Sequence, residues 1–179
     1  MFSILANIPS LIKHLEIINT DPEYYRSKAC PHCGMSGVWF HGHYDRKADR
    51  ENSGAESLNL IPILRFFCNH CKKTHSVLPE CIPPRRWYLW IIQQAVILGL
   101  CAGKSLRSVS QNVSPARSTC RRWWQQLQEA FVLHRDALSV SIYQLGSFDT
   151  VATFWNYCLQ QMSLAKAMHL CHLSGIIIP

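Results

Sequence analysis

Two Cys-x-x-Cys pairs stand 34 residues apart, Cys30-Pro-His-Cys33 and Cys68-Asn-His-Cys71. Such a turn puts two thiolates on one small loop, where they can take two corners of a tetrahedron. A second turn brought alongside closes the site. Four protein ligands leave no coordination position open, so the chemistry expected here is structural. The expectation is one Zn2+ on Cys30, Cys33, Cys68 and Cys71, contributing folding free energy to a segment with little core of its own. An iron–sulfur cluster takes the same ligand type and stays open as the alternative occupant. A redox dithiol is set aside, because it would stand alone on a βαβ unit that this pattern lacks. His32, His70 and His75 lie near the pairs; beside a complete four-cysteine set they read as outer or surface groups, as do His41 and His43. Cys158, His169, Cys171 and His172 read as core and surface residues rather than as a second metal site.

Strands must bring the two turns together. VWFHGHYDR after the first pair, IPILRFF before the second and THSVLP after it all read as strands, from their β-branched and aromatic residues. Residues 45–59 are polar with a central glycine and read as a loop. Upstream, Phe2, Leu5, Ile8, Leu11, Ile12, Leu15 and Ile18 recur at helical spacing, so residues 1–20 are expected to form an amphipathic helix with a break or start at Pro9.

From Pro83 the period becomes helical. Helices are expected over Trp87–Cys101, Ser105–Asn112, Pro115–Arg135 and Phe148–Leu173. The middle two have the layout of a helix-turn-helix. Leu106 and Val109 anchor the first, Asn112 and Val113 make the turn, Ser114 is the expected N-cap and Pro115 the first helical residue. Ala116, Cys120, Trp123 or Trp124, and Leu127 are expected to form a buried stripe, opposite a face of Arg117, Ser118, Arg121, Arg122 and Gln125.

Charge placement agrees with that division. The formal net charge is +7, and no acidic residue lies between Glu80 and Glu129. That gap holds Arg85, Arg86, Lys104, Arg107, Arg117, Arg121 and Arg122, which suggests a polyanionic partner. Double-stranded DNA fits best: Arg117, Ser118 and Arg121 are expected to reach base edges, and Lys104, Arg107 and Arg122 to contact phosphates.

The order CPHCG, GHYDR, ILRFFCNHCKKTHSVLPE and then a helix-turn-helix resembles the N-terminal regions of bacterial insertion-sequence transposases and related zinc-ribbon proteins of mobile elements. The matching positions are Arg65 on the strand leading into the second pair, Thr74 after it and the closing Leu78-Pro79, and the likeness covers residues 28–127. It implies a DNA-binding module. A full transposase would continue into a nuclease domain, but only Glu129, Asp136 and Asp149 follow, on helical or loop sequence. No catalytic domain, and no enzyme, is therefore expected. There is no glycine-rich phosphate loop and no HExxH.

The expected fold is α+β: an N-terminal amphipathic helix over 1–27, a small β zinc ribbon over 28–82, a helix-turn-helix region over 83–135 and a C-terminal helix over 136–179 that packs or oligomerises. At 48% hydrophobic and 16% charged, the chain is not a disordered tail. The absence of a signal peptide and the Cys-x-x-Cys usage point to a reducing, cytoplasmic setting. No apolar run is long enough to span a bilayer, so no membrane partner is expected. The competing reading is a zinc-stabilised protein–protein interaction module without DNA binding, making a homodimer or binding a partner protein through the terminal helices.

Overall fold

The computed structural model describes residues 2–47, 58–85 and 88–176. The chain divides into two compact units, Met1–Leu89 and Trp90–Pro179, with an α+β architecture.

The first unit contains β1 (Phe2–Leu5), α1 (Leu11–Thr20), a 3₁₀ turn (Pro22–Tyr25), β2 (Val38–Arg46), β3 (Ile61–Cys68) and β4 (Thr74–Pro79). The sheet order is β1-β4-β3-β2, with β1 parallel to β4 and the other pairings antiparallel. β3 is central and buried on both faces. Leu64, Phe66 and Cys68 join a core with Ile8, Tyr25, Val38 and Val77, while Ile61 and Ile63 join Leu78 and Ile82. A strand covered on both sides needs no polar alternation, which accounts for the continuous apolar run of IPILRFF.

The N-terminal segment departs from the expected single helix over 1–20. Residues 2–5 form β1, paired with Ser76–Pro79, and the helix begins only at Leu11. Four residues are too few to separate a period of 2 from one of 3.6, and pairing along the β4 edge decides for the strand. Pro9 ends that segment, and the Ser10 side chain accepts from the Lys13 N–H at 3.2 Å to start α1. The buried face of α1 also differs from the expected stripe. Ile12 is 71% exposed, whereas His14 is fully buried. His14 Nε2 lies 2.9 Å from the Pro62 carbonyl, which can only accept, so Nε2 carries the proton and Nδ1 accepts from the Tyr25 hydroxyl. Both ring nitrogens are thus satisfied and the neutral ring ties α1 to β3. Burial lowers its pKa, against the opposing effect of the Pro62 carbonyl.

The second unit holds α2 (Trp90–Cys101), α3 (Leu106–Asn112), α4 (Arg117–Glu129), α5 (Phe131–Ser139), a 3₁₀ turn (Tyr143–Ser147), α6 (Val151–Gln161) and α7 (Leu164–Leu173). The helix expected from Trp87 starts at Trp90; residues 86 and 87 lie outside the described residues. The helix expected over Pro115–Arg135 is two, separated at Ala130. The C-terminal helix is likewise two. Met162 is extended and the Ser163 side chain accepts from the Lys166 N–H, so a new helix starts there. Gln94 on α2 accepts from the Leu164 N–H at 2.8 Å, a long-range cap that sequence spacing does not reveal. α2 touches α3, α4, α6 and α7 and is the centre of this unit. At Gly99 a Cβ would come within 3.0 Å of Val109 Cγ2, so the glycine accommodates α3 against α2 despite its poor helix propensity.

His134 on α5 is fully buried, edge-on to Trp155 at 5.4 Å between ring centroids. Among the described residues neither ring nitrogen has a hydrogen-bond partner, and burial lowers the pKa from 6.5 to about 4. The folded state therefore stays neutral while the unfolded chain takes up a proton, so this contribution to stability is complete above pH 6.5 and is lost as pH falls toward 4. Between pH 7 and pH 5 the loss should be about 2 kcal/mol. Denaturant titrations at the two pH values should show this drop in the wild type and a smaller one in His134→Leu; equal drops would contradict the assignment.

Candidate metal centre

Each Cys-x-x-Cys turn is built the same way by backbone hydrogen bonding. In the first, the Gly34 N–H donates to the Cys30 carbonyl (2.8 Å) and the Cys30 N–H to the Met35 carbonyl (2.9 Å). In the second, the Lys72 N–H donates to the Cys68 carbonyl (3.0 Å) and the Cys68 N–H to the Lys73 carbonyl (2.9 Å). The residue after each second cysteine has a left-handed backbone, Gly34 at φ +72° and Lys72 at φ +57°. The first is the residue type that conformation favours; the second carries a side chain there at a cost of about 1 kcal/mol. The Asn69 N–H donates to the Gly37 carbonyl at 3.1 Å and links the two turns.

The sheet supplies the rest of the alignment. β2 leaves the first turn at Val38, and β3 enters the second at Cys68, with Val38 and Cys68 directly paired. Arg65 on β3 donates to the Thr74 hydroxyl on β4 at 3.2 Å, so the two residues singled out in the sequence brace the strands flanking the second turn.

The four thiol sulfurs come together as the spacing predicts, all within 4.8 Å of one another. Cys30 and Cys71 sulfurs are 3.8 Å apart, and those of Cys33 and Cys68 are 3.7 Å apart. A tetrahedron with metal–sulfur bonds of about 2.3 Å has edges of about 3.8 Å, so the spacing fits one four-coordinate thiolate site. These sulfurs are too far apart for disulfides, and all four cysteines are free. The His32 N–H donates to the Cys30 sulfur at 3.4 Å, as suits a thiolate acceptor. The Cys71 N–H, with help from that of His70, outweighs burial and lowers the Cys68 thiol to about 6. For Cys33 the Met35 N–H favours the thiolate, but burial and the neighbouring thiols outweigh it and push this group up to about 11. Four thiolates brought this close repel one another, and a cation at the centre would favour their ionisation.

The surrounding histidines are not ligands in this arrangement. His70, His41 and His43 are exposed. His75 is buried instead, stacked on Phe66 with its Nε2 3.3 Å from the Ser27 hydroxyl. Burial lowers its pKa, with a smaller contribution from His32. Cys158 and Cys171 are buried and His169 and His172 half-buried, and among the described residues only the four-cysteine set groups as a metal site.

The residues expected to meet DNA lie in the second unit. Lys104, Arg107, Arg117, Ser118, Arg121 and Arg122 are all exposed, and among the described residues none of the five cations is in an ion pair. Cys120, Trp123 and Leu127 form the buried stripe of α4 and Trp124 is half-buried, while Ala116 is exposed, contrary to expectation. Ser114 is not the cap. Pro115 is buried, Ala116 takes the N-cap position at φ −57°, ψ 150°, and no side chain closes the helix start. The helix thus begins two residues later than the proline suggests, because Pro115 packs inward instead of serving as the first helical residue. Glu129, Asp136 and Asp149 do not converge; Glu129 bonds Gln125 and Asp136 pairs with Arg135.

A protein-family model described as "Domain of unknown function (DUF6431)" matches residues 30–123, from the first site cysteine into α4. No curated protein and no solved structure matches the chain.

Removing one corner of the tetrad tests the site. Cys68→Ser should lose the bound metal, and the first unit should lose its cooperative unfolding transition. Gly34→Ala should bind metal but cost about 1 kcal/mol, because nothing crowds the new Cβ and only the left-handed backbone is penalised. Metal analysis and denaturant unfolding read both; full metal retention in Cys68→Ser would remove the fourth ligand from the account.

Proposed function

The chain belongs to the DUF6431 family, and we propose that it is a DNA-binding protein: a zinc ribbon followed by a helix-turn-helix that engages double-stranded DNA. The ion is one structural Zn2+, favoured by four thiolates at tetrahedral spacing. It supplies no reaction chemistry. It adds a cross-link between two turns already joined by the Asn69–Gly37 hydrogen bond and the Val38–Cys68 pairing.

The observation that carries the DNA reading is the start of α4. Arg117, Ser118, Arg121 and Arg122 occupy its exposed face within two turns, and the helix N-terminus has no side-chain cap. Backbone N–H groups at a helix start and guanidinium groups beside them both favour phosphate or base-edge acceptors. The opposite face is anchored by Cys120, Trp123 and Leu127, so the arginines are held on a packed support. α3 precedes it with Ser105 as a true cap, its side chain accepting from the Ser108 N–H. α2, α3 and α4 contact one another pairwise, which suits a helix-turn-helix core. Lys104 and Arg107, at the start of α3, extend the positive surface for phosphates. The resemblance to the non-catalytic N-terminal part of mobile-element transposases agrees with this reading, and the family match runs through both the ribbon and the α2–α4 segment. No catalytic step is part of the proposal.

A second reading rests on exposed apolar residues after α4. Val132, Leu133, Val140 and Tyr143 are each more than half exposed, as a protein–protein interface would require. A monomer mass by light scattering at working concentration counts against self-association through them.

Affinity for mixed-sequence duplex DNA should fall steeply with salt. Arg122→Ala should weaken it uniformly and flatten the log–log salt slope by about 1. Arg117→Ala should change the base preference of duplexes selected from a random pool, by about 1–3 kcal/mol at the affected position. Unchanged affinity and preference in both variants would overturn the DNA reading.

A further inference from the structure

The strand β2 carries a feature that neither the metal site nor α4 uses. Along Val38–Arg46 the structure exposes Trp39 (56%), Phe40 (51%) and Tyr44 (39%), and His41 and His43 are exposed as well. These five rings stand on one strand at the edge of the described sheet, with Phe40 and His43, paired with Phe66 and Leu64, on the face opposite Trp39 and Tyr44. Trp39 pairs with Phe67 and Tyr44 with Ile63, and these partners lie four residues apart on β3, so Trp39 and Tyr44 share a face. His41 lies 5.8 Å from the Phe67 ring on that same side.

Cations frame the row. The Arg26 guanidinium stands 5.8 Å over the Trp39 ring. Arg26, Ser27, Lys28 and Trp39 line a cleft of about 330 Å³, whose one carboxylate, Glu23, is already bonded by Arg26 at 2.8 Å. Aromatic faces beside cations are the two components of a single-strand nucleic-acid surface: rings stack on bases and cations track phosphates. Arg26 shares Glu23, while Lys28 is in no ion pair among the described residues.

A peptide adding to the sheet edge is the competing occupant. The register of β2 against β3 slips by one residue between Phe40 and His43, and this bulge breaks the regular ladder that strand addition needs. Base stacking needs no ladder.

We propose that this face of the ribbon binds unpaired bases of single-stranded DNA, with Trp39 and Tyr44 as stacking platforms and Arg26 and Lys28 at the phosphates. The proposal rests on residues of the first unit alone and stands or falls independently of duplex binding by α4.

The test uses the full zinc-loaded chain and a labelled oligothymidine of about 12 nucleotides, within the site sizes typical of such surfaces. Fluorescence anisotropy should show binding, and an abasic strand of equal length should bind markedly more weakly. Trp39→Ala should weaken oligothymidine binding about tenfold and Trp39→Phe much less, because a ring remains to stack. Both variants should keep zinc content and duplex affinity, while Arg117→Ala should leave oligothymidine affinity within about twofold of wild type. Equal binding of the abasic strand, or wild-type affinity in Trp39→Ala, would overturn the proposal. So would self-association that Trp39→Ala abolishes, since the face would then be an interface between copies.

Discussion

Four sulfur atoms within 4.8 Å of one another set the architecture of the first unit. They come from two turns separated by 34 residues, and nothing in the covalent chain obliges those turns to meet. The sheet brings them close, with Val38 opposite Cys68, but the sheet is small and one of its edges is the bulged strand β2. Thiols at this distance gain little from each other; thiolates repel. A divalent cation would turn the repulsion into attraction and make the turns and the strand pairing mutually supportive. The backbone anticipates that charge: the N–H groups of Cys71 and His70 stabilise the Cys68 thiolate, and that of His32 points at Cys30.

The second unit has an apolar core. α2 is its centre, and Gln94 caps α7. Cys120, Trp123 and Leu127 fix which way α4 faces. Among the described residues the arginines on its far side have no carboxylate partners, which leaves a positive field at that face. Burying His134 without a partner shows that packing, rather than polar satisfaction, dominates this core.

Much of this was legible in the sequence, for reasons tied to particular residues. The two Cys-x-x-Cys turns, the three strands of the ribbon and the amphipathic α4 follow from spacing, because each is a local pattern; the tetrad follows from the chemistry of two such pairs in one chain. What failed depended on tertiary partners. Residues 2–5 became a strand because β4 offered an edge, and His14 was buried because Tyr25 and Pro62 satisfied it. Ser114 lost the capping role because Pro115 packed inward. The break at Ser163 was readable in principle, since a serine three residues before a helical N–H is an ordinary cap signal. The ring row on β2 was visible as composition, but only the bulge and the exposures make it a surface.

X-ray absorption at the metal edge of the purified full chain reads the occupant of the four-cysteine site. A zinc edge and a first shell of four sulfurs at about 2.3 Å with no lighter scatterer is the expected result. An iron edge, or nitrogen or oxygen in that first shell, would contradict it.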